Sequence, residues 1–194
     1  MQRFAYLLVL ALGALLTGCS FNHPVAEDYG TYLANNQGQS NLPRASAPAE
    51  YQTAASTQAH RYEFRSATVG YAHLWIVEFG QMLDATLQSS DVQQAFGSLQ
   101  AGSAPSAPLL TFELQDYRFE DFRAYVTLKI SVAAGGQALF SKAYQVEGQS
   151  QGGKMFWGGP FAMKNAIQQS TKLALDEILR DFIADYNRLD LAQR

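Results

Sequence analysis

Between residues 122 and 132 the chain alternates without a miss: Phe122, Ala124, Val126, Leu128, Ile130 and Val132 are separated by Arg123, Tyr125, Thr127, Lys129 and Ser131. A period of two puts the first set on one face of an extended strand and the second on the other. Such a strand belongs in an antiparallel sheet that is covered on one side and wetted on the other. The pattern extends in both directions. Leu110, Phe112 and Leu114 alternate with Thr111, Glu113 and Gln115 in a preceding strand that can continue to Tyr117 and Phe119, with Glu120-Asp121 at the turn. Gly135-Gly136 supplies a two-residue hairpin turn. Ala138, Phe140, Tyr144 and Val146 then define a return strand in which Lys142 breaks the pattern. Three consecutive strands make a meander.

A sheet with one apolar face needs a cover. From Phe161 to about Tyr186, Met163, Ala166, Ile167, Ala174, Leu175, Ile178, Leu179, Phe182 and Ile183 form a helical stripe, with Lys164, Gln168, Lys172, Glu177, Arg180, Asp181 and Asp185 opposite. Pro160 suits the start of that helix. A shorter helix is expected from Ala72 to Leu87, where Trp75, Ile76, Phe79, Met82, Leu83 and Leu87 recur at three- and four-residue intervals. Ser89-Ser90-Asp91 reads as a stop or a fresh N-cap, Val92 to Leu99 as a second short helix, and Tyr62, Phe64 and Val69 as a short entering strand. The expected fold is α+β: an antiparallel three- to four-stranded sheet packed against a long C-terminal helix and a shorter preceding helix, in one domain over residues 60–194. An apolar sheet edge left unpaired would allow a homo-oligomer.

Before the domain the chain changes character twice. Arg3 precedes an apolar run, Phe4 to Leu16; about a dozen residues is too short to cross a bilayer core of about 30 Å, so this is a targeting segment. It ends in Leu16-Thr17-Gly18-Cys19, which contains the only cysteine. Taken by itself, Cys19 is a free exported thiol. In its context the stretch resembles the lipobox of bacterial lipoproteins. That resemblance implies a signal peptide over 1–18, a diacylglycerol on the Cys19 thiol and a further acyl chain such as palmitate on the new amino terminus. Two or three chains hold a protein on a membrane where one is marginal, each buried methylene contributing about 0.8 kcal/mol. Ser20 and Phe21 follow without an acidic residue, which resembles lipoproteins sorted to the outer membrane with the domain facing the periplasm.

Residues 19–59 are then expected to be the lipidated cysteine and a flexible tether. They are rich in Ala, Ser, Asn, Gln and Pro, with Asn35-Asn36-Gln37-Gly38 and three prolines, Pro24, Pro43 and Pro48. Such a stretch buries too little apolar surface to offset its chain entropy. A flexible chain of about 40 residues would hold the domain about 35 Å from the membrane.

Charge narrows the partners. Removing residues 1–18 takes away only Arg3 of 14 basic residues, leaving 13 against 17 acidic and a net charge of -4. Without clustered Lys and Arg, nucleic acid is excluded as a partner, and no polybasic patch addresses anionic lipid.

Catalytic signatures are equally sparse. Gly148 and Gly153-Lys154 approach a phosphate-binding loop, but Met155 replaces its hydroxyl residue and Phe156-Trp157-Gly158-Gly159-Pro160 keeps a helix from starting at the phosphates. His23, His60 and His73 lack metal-ligand spacing. His73 is the lone candidate base, with no Gly-x-Ser-x-Gly nucleophile to serve. Glu120-Asp121 and Asp176-Glu177 are read as a solvated turn and the wet face of the last helix. No catalytic residue, metal or cofactor is expected, and the chain reads as a binding protein, not an enzyme. Phe156 and Trp157, in the glycine-rich connection 149–160, either pack over the sheet end or contact a partner or acyl chain.

Lipobox, polar tether, short strand, the helix carrying Trp75-x-x-Glu78-Phe79-Gly80-x-Met82-Leu83, meander and closing helix together resemble the auxiliary lipoproteins of ABC-type envelope transporters. These are the PqiC-like group and, more distantly, YajG-like lipoproteins; the resemblance covers roughly Tyr62 to Asn187. It implies a non-enzymatic outer-membrane component that works with ABC permease, ATPase and lipid-carrier subunits on other chains. The alternative is a standalone structural or assembly lipoprotein that binds peptidoglycan, a porin or an appendage.

Overall fold

Strand β1 (Phe21–Pro24) begins one residue after Ser20, and the remaining elements follow closely. They are α1 (Tyr29–Asn35), β2 (Ala49–Thr53), the single turn α2 (Ala55–Gln58), β3 (Arg61–Phe64), β4 (His73–Glu78), α3 (Phe79–Leu87), α4 (Ser90–Phe96), β5 (Leu99–Ala101), β6 (Leu109–Glu120), β7 (Arg123–Ala134), β8 (Gln137–Glu147) and α5 (Gly152–Tyr186). The computed structural model describes residues 20–67, 69–102 and 107–189, with the side chains of 154–157 and 160 outside that description.

The meander forms as the alternation dictates. β6, β7 and β8 are antiparallel neighbours, and Ala124, Val126, Leu128, Ile130 and Val132 are buried on one face. Gly135 and Gly136, at φ 56° and 77°, make the primed turn that twisted hairpins prefer. In β6 the register shifts between Leu114 and Asp116. The extra residue, Gln115, moves the buried phase from Leu110 and Phe112 to Tyr117 and Phe119. Lys142 points the same way as Tyr144 because it reaches Asp185 in the last turn of α5, at 2.6 Å.

The sheet as a whole is not the expected antiparallel one. Two mixed sheets form, a five-stranded β5-β2-β6-β7-β8 and a three-stranded β1-β4-β3. β2 runs parallel to both β5 and β6, and β1 runs parallel to β4. The fold remains α+β. The parallel strands come from segments that lack a strand signature of their own, so only their distant partners define them.

Two of those segments correct the expected domain plan. Within 19–59, the stretch after Cys19 supplies β1, α1, β2 and α2 instead of a tether; Cys19 itself lies outside the described residues. Five of its apolar side chains, Val25, Tyr29, Leu33, Ala49 and Tyr51, are buried in the core. The ladders β1–β4 and β2–β6 satisfy its backbone. Residues 72–87 split into a strand and a helix. Trp75, Ile76 and Val77 are buried in the middle strand of the small sheet. A β-branched and aromatic run paired on both edges overrides its accidental helical spacing, and the helix begins only at Phe79.

The closing helix also differs from expectation. α5 starts at Gly152, so the glycine-rich connection is largely helical, and it is broken at Gly159, whose φ 56° and ψ −146° only glycine adopts freely. On one side Phe182 packs against Phe112 and Tyr144 of the large sheet, with ring centroids 6.4 and 6.3 Å away. On another side the N-terminal segment covers the helix: Gln168 Nε2 donates to the Val25 carbonyl at 3.1 Å and Asn187 Nδ2 to that of Arg44 at 2.8 Å. Lys172 and Asp176, expected on the wet face, are therefore buried.

Candidate functional site

Two places in the fold gather polar and aromatic groups beyond what the core needs. The first is the end where the chain enters. Phe21 N–H donates to the Ala72 carbonyl at 2.8 Å, and Arg65 bridges Ser20 Oγ (3.1 Å) and the Tyr71 carbonyl (2.5 Å). Parallel pairing of β1 with β4 sets His23 opposite Trp75. It also lets His23 Nε2 meet His73 Nδ1 at 2.7 Å. Trp75 is fully buried against His23 and Phe64, at 5.5 and 5.6 Å between ring centroids. Phe64 continues the aromatic series to Phe119 at 5.5 Å.

Beside this series a cleft of about 220 Å³ opens, lined by Phe64, Arg65, Phe119, Asp121, Phe122 and Met163 among others. Phe122 is not the first inward residue of β7 but a turn residue at φ 58°, following Asp121 at φ 48°. The left-handed region is unfavourable for a bulky side chain, and strain of this kind gathers at functional sites. The Gln151 N–H, donating to the Phe122 carbonyl at 2.9 Å, helps hold the turn against the start of α5.

Electrostatically the entry end is mild. Lys164 Nζ pairs with Asp28 at 2.9 Å. Partial burial, the facing His73 and Lys164 hold His23 below the usual imidazole value. One imidazole of the pair must accept from the other, so the contact requires at least one neutral ring. His60, half-buried edge-on to Phe79 and Tyr117, is also lowered by burial, against the pull of Asp116.

The second place is a pocket of about 320 Å³ between α1, the α3–α4 turn and α5, bordered by Ser40, Thr86, Asp91, Lys172 and Asp176. Lys172 Nζ donates to Ser40 Oγ at 2.8 Å and to Asp176 Oδ2 at 2.5 Å. Asp91 accepts from the backbone N–H groups of Gly38 (2.8 Å) and Ser40 (3.4 Å). A serine beside a lysine resembles a hydrolytic dyad, but a lysine base must be neutral and the adjacent carboxylate favours the ammonium. Ser40 is also 3% exposed, and its hydroxyl already accepts a hydrogen bond from that lysine. Burial raises the Asp176 carboxyl, with Lys172 opposing. The groups satisfy one another and clasp the N-terminal segment onto α5.

The expected site residues are distributed as follows. Cys19 lies outside the described residues, directly before the entry end. Phe156 and Trp157 fall in the first part of α5, ahead of the Gly159 break, with side chains outside the described ones. His73 faces His23, Nδ1 to Nε2 at 2.7 Å. The paired carboxylates separate, Asp176 buried and Glu177 exposed. Among the described residues no group of three or more His, Cys, Asp or Glu side chains converges as a metal site. The histidine contact, 50 residues apart in sequence, left no local signal; the Lys172-x-x-x-Asp176 spacing did, as an i,i+4 pair.

No protein-family model matches the chain, and no curated protein matches it significantly. Among solved structures it is similar to the crystal structure of protein XCC0632 from Xanthomonas campestris, assigned to the DUF330 family. The similarity has 14% sequence identity and a TM-score of 0.47, and it covers 74% of this chain and 87% of that one.

Proposed function

We propose that the protein is a lipid-anchored envelope lipoprotein that acts by binding, as an accessory subunit of a trans-envelope lipid transport complex. The observation that carries this reading is the cleft of Phe64, Phe119, Phe122 and Met163, whose Arg65 also hydrogen-bonds Ser20, the residue after Cys19. A recess with aromatic walls and a polar rim of Arg65, Ser66 and Asp121 suits an amphipathic ligand, its apolar part against the rings and its polar part at the rim. The lipobox at Cys19 supplies the address, outer membrane facing the periplasm, and the resemblance to auxiliary lipoproteins of ABC-type transporters supplies the partner class. Phe156 and Trp157, in the helical segment leading to Gly159, are the contact residues on this reading.

Crosslinking in living cells, followed by purification through a C-terminal tag and mass spectrometry of the accompanying proteins and lipids, tests it. Recovery of ABC permease or lipid-carrier subunits, lost when Phe156 and Trp157 are both replaced by alanine, is expected. Recovery of only porins, peptidoglycan-linked proteins or appendage components overturns the transport reading in favour of a standalone assembly lipoprotein.

A further inference from the structure

The folded chain leaves no room for a spacer. β1 starts at Phe21, hydrogen-bonded into the small sheet through the Ala72 carbonyl, and Ser20 is tied to Arg65. From Cys19 to Phe21 is two residues, a reach of about 7 Å when fully extended. Any acyl group on Cys19 therefore inserts within about that distance of Phe21. Among the described residues, the large hydrophobic side chains that the fold leaves exposed are Phe21, Tyr71 and Phe161, at 57%, 69% and 84% exposure. Phe21 and Tyr71 flank the Arg65 bridge, and Arg65 lines the aromatic cleft. Exposed aromatics grouped at one end, with an arginine among them, match the side chains that settle at a membrane–water interface.

We infer that the entry end is a bilayer-docking face. Phe21 and Tyr71 sit at headgroup depth, Arg65 faces the lipid phosphates, and the domain lies against the membrane instead of standing off it. The occupant is the lipid surface because the anchor leaves no span in which a protein could lie between Phe21 and the bilayer. The inference rests on the acylation of Cys19 within the function proposed above. It makes the aromatic cleft open at the membrane surface, where a lipid chain can enter without crossing water.

The test uses the native lipidated protein in phospholipid vesicles containing brominated acyl chains, which quench indole fluorescence at short range. Tyr71→Trp is compared with Ala138→Trp, which lies just past the Gly135-Gly136 turn at the far end of β7, and with the parent protein. Mass analysis of the N-terminal peptide reports acylation separately. If Cys19 is unmodified, the anchoring reading fails and the same vesicles are loaded through a maleimide lipid on Cys19, so the face is still judged. The expected result is about twofold or greater excess quenching for Tyr71→Trp, with Ala138→Trp at the parent level. Equal quenching of the two variants overturns the docking face.

Discussion

Lys172 and Asp176 lie one turn apart on α5, Nζ and Oδ2 at 2.5 Å, both buried beneath Ser40. The pair is held by the segment that covers it, and each charge depends on the other. Lys172→Met strands a buried carboxylate and should cost about 3–5 kcal/mol in urea unfolding at neutral pH. The loss should shrink as the pH falls, because the stranded Asp176 takes up a proton. The double replacement Lys172→Met with Asp176→Leu should recover most of that stability, a coupling that a double-mutant cycle measures directly.

Deleting residues 20–48 provides a second test. It removes β1, α1 and the strand-like segment whose Ser40, Arg44 and Ser46 backbones bond to α5, Ser46 N–H reaching Asn187 at 2.6 Å. A tether would leave the remaining domain untouched. The structure instead requires loss of cooperative thermal unfolding and of the near-ultraviolet dichroism that Trp75 contributes in its packed state.

A third prediction concerns pH. His23 and His60 both have folded values held below the usual imidazole value by burial. The unfolded chain therefore binds protons first as the pH falls, so their contribution is complete above about 6.5 and declines below it. Unfolding midpoints should drop between pH 7.5 and 5.5, and His23→Phe, which removes one of the two groups, should flatten the slope.

Gly148 offers a packing test. Its N–H donates to the Ala124 carbonyl at 2.7 Å, and the Ala124 N–H donates to Ser170 Oγ at 2.8 Å, joining the end of β8, β7 and α5. A Cβ there would collide with the Ser170 carbonyl and hydroxyl oxygens. Gly148→Ala should cost about 1–3 kcal/mol through forced backbone displacement, read as a lower urea midpoint at unchanged m-value.

Sequence patterning made the meander legible because β7 and its neighbours bury one face continuously, and a period of two admits no other solution. The C-terminal part of α5 was legible for the same reason, down to Phe182 and Ile183. The first strand and α1 were not. Phe21 to Pro24 contains no apolar alternation, and its place depends on β4, about 50 residues on. Trp75, Ile76 and Val77 carried a helical spacing that pairing on both edges overrode. In the candidate site, the aromatic positions Phe64, Phe119 and Phe122 were visible only as core residues. What distinguishes them is the positive φ of Phe122 and the gap beside it, neither of which is a property of local sequence.

The contacts between Gln168 and Val25, and between Asn187 and Arg44, each join residues 143 positions apart. Loops of that length close late, because chain entropy opposes them until most other contacts exist. A polypeptide delivered amino end first thus exposes β1 and the Tyr29 helix before α5 has emerged to meet them. During that interval the side chains of Val25, Tyr29 and Leu33, buried in the finished fold, are open to aggregation. The stretch next to Cys19 is the first to arrive and the last to be secured.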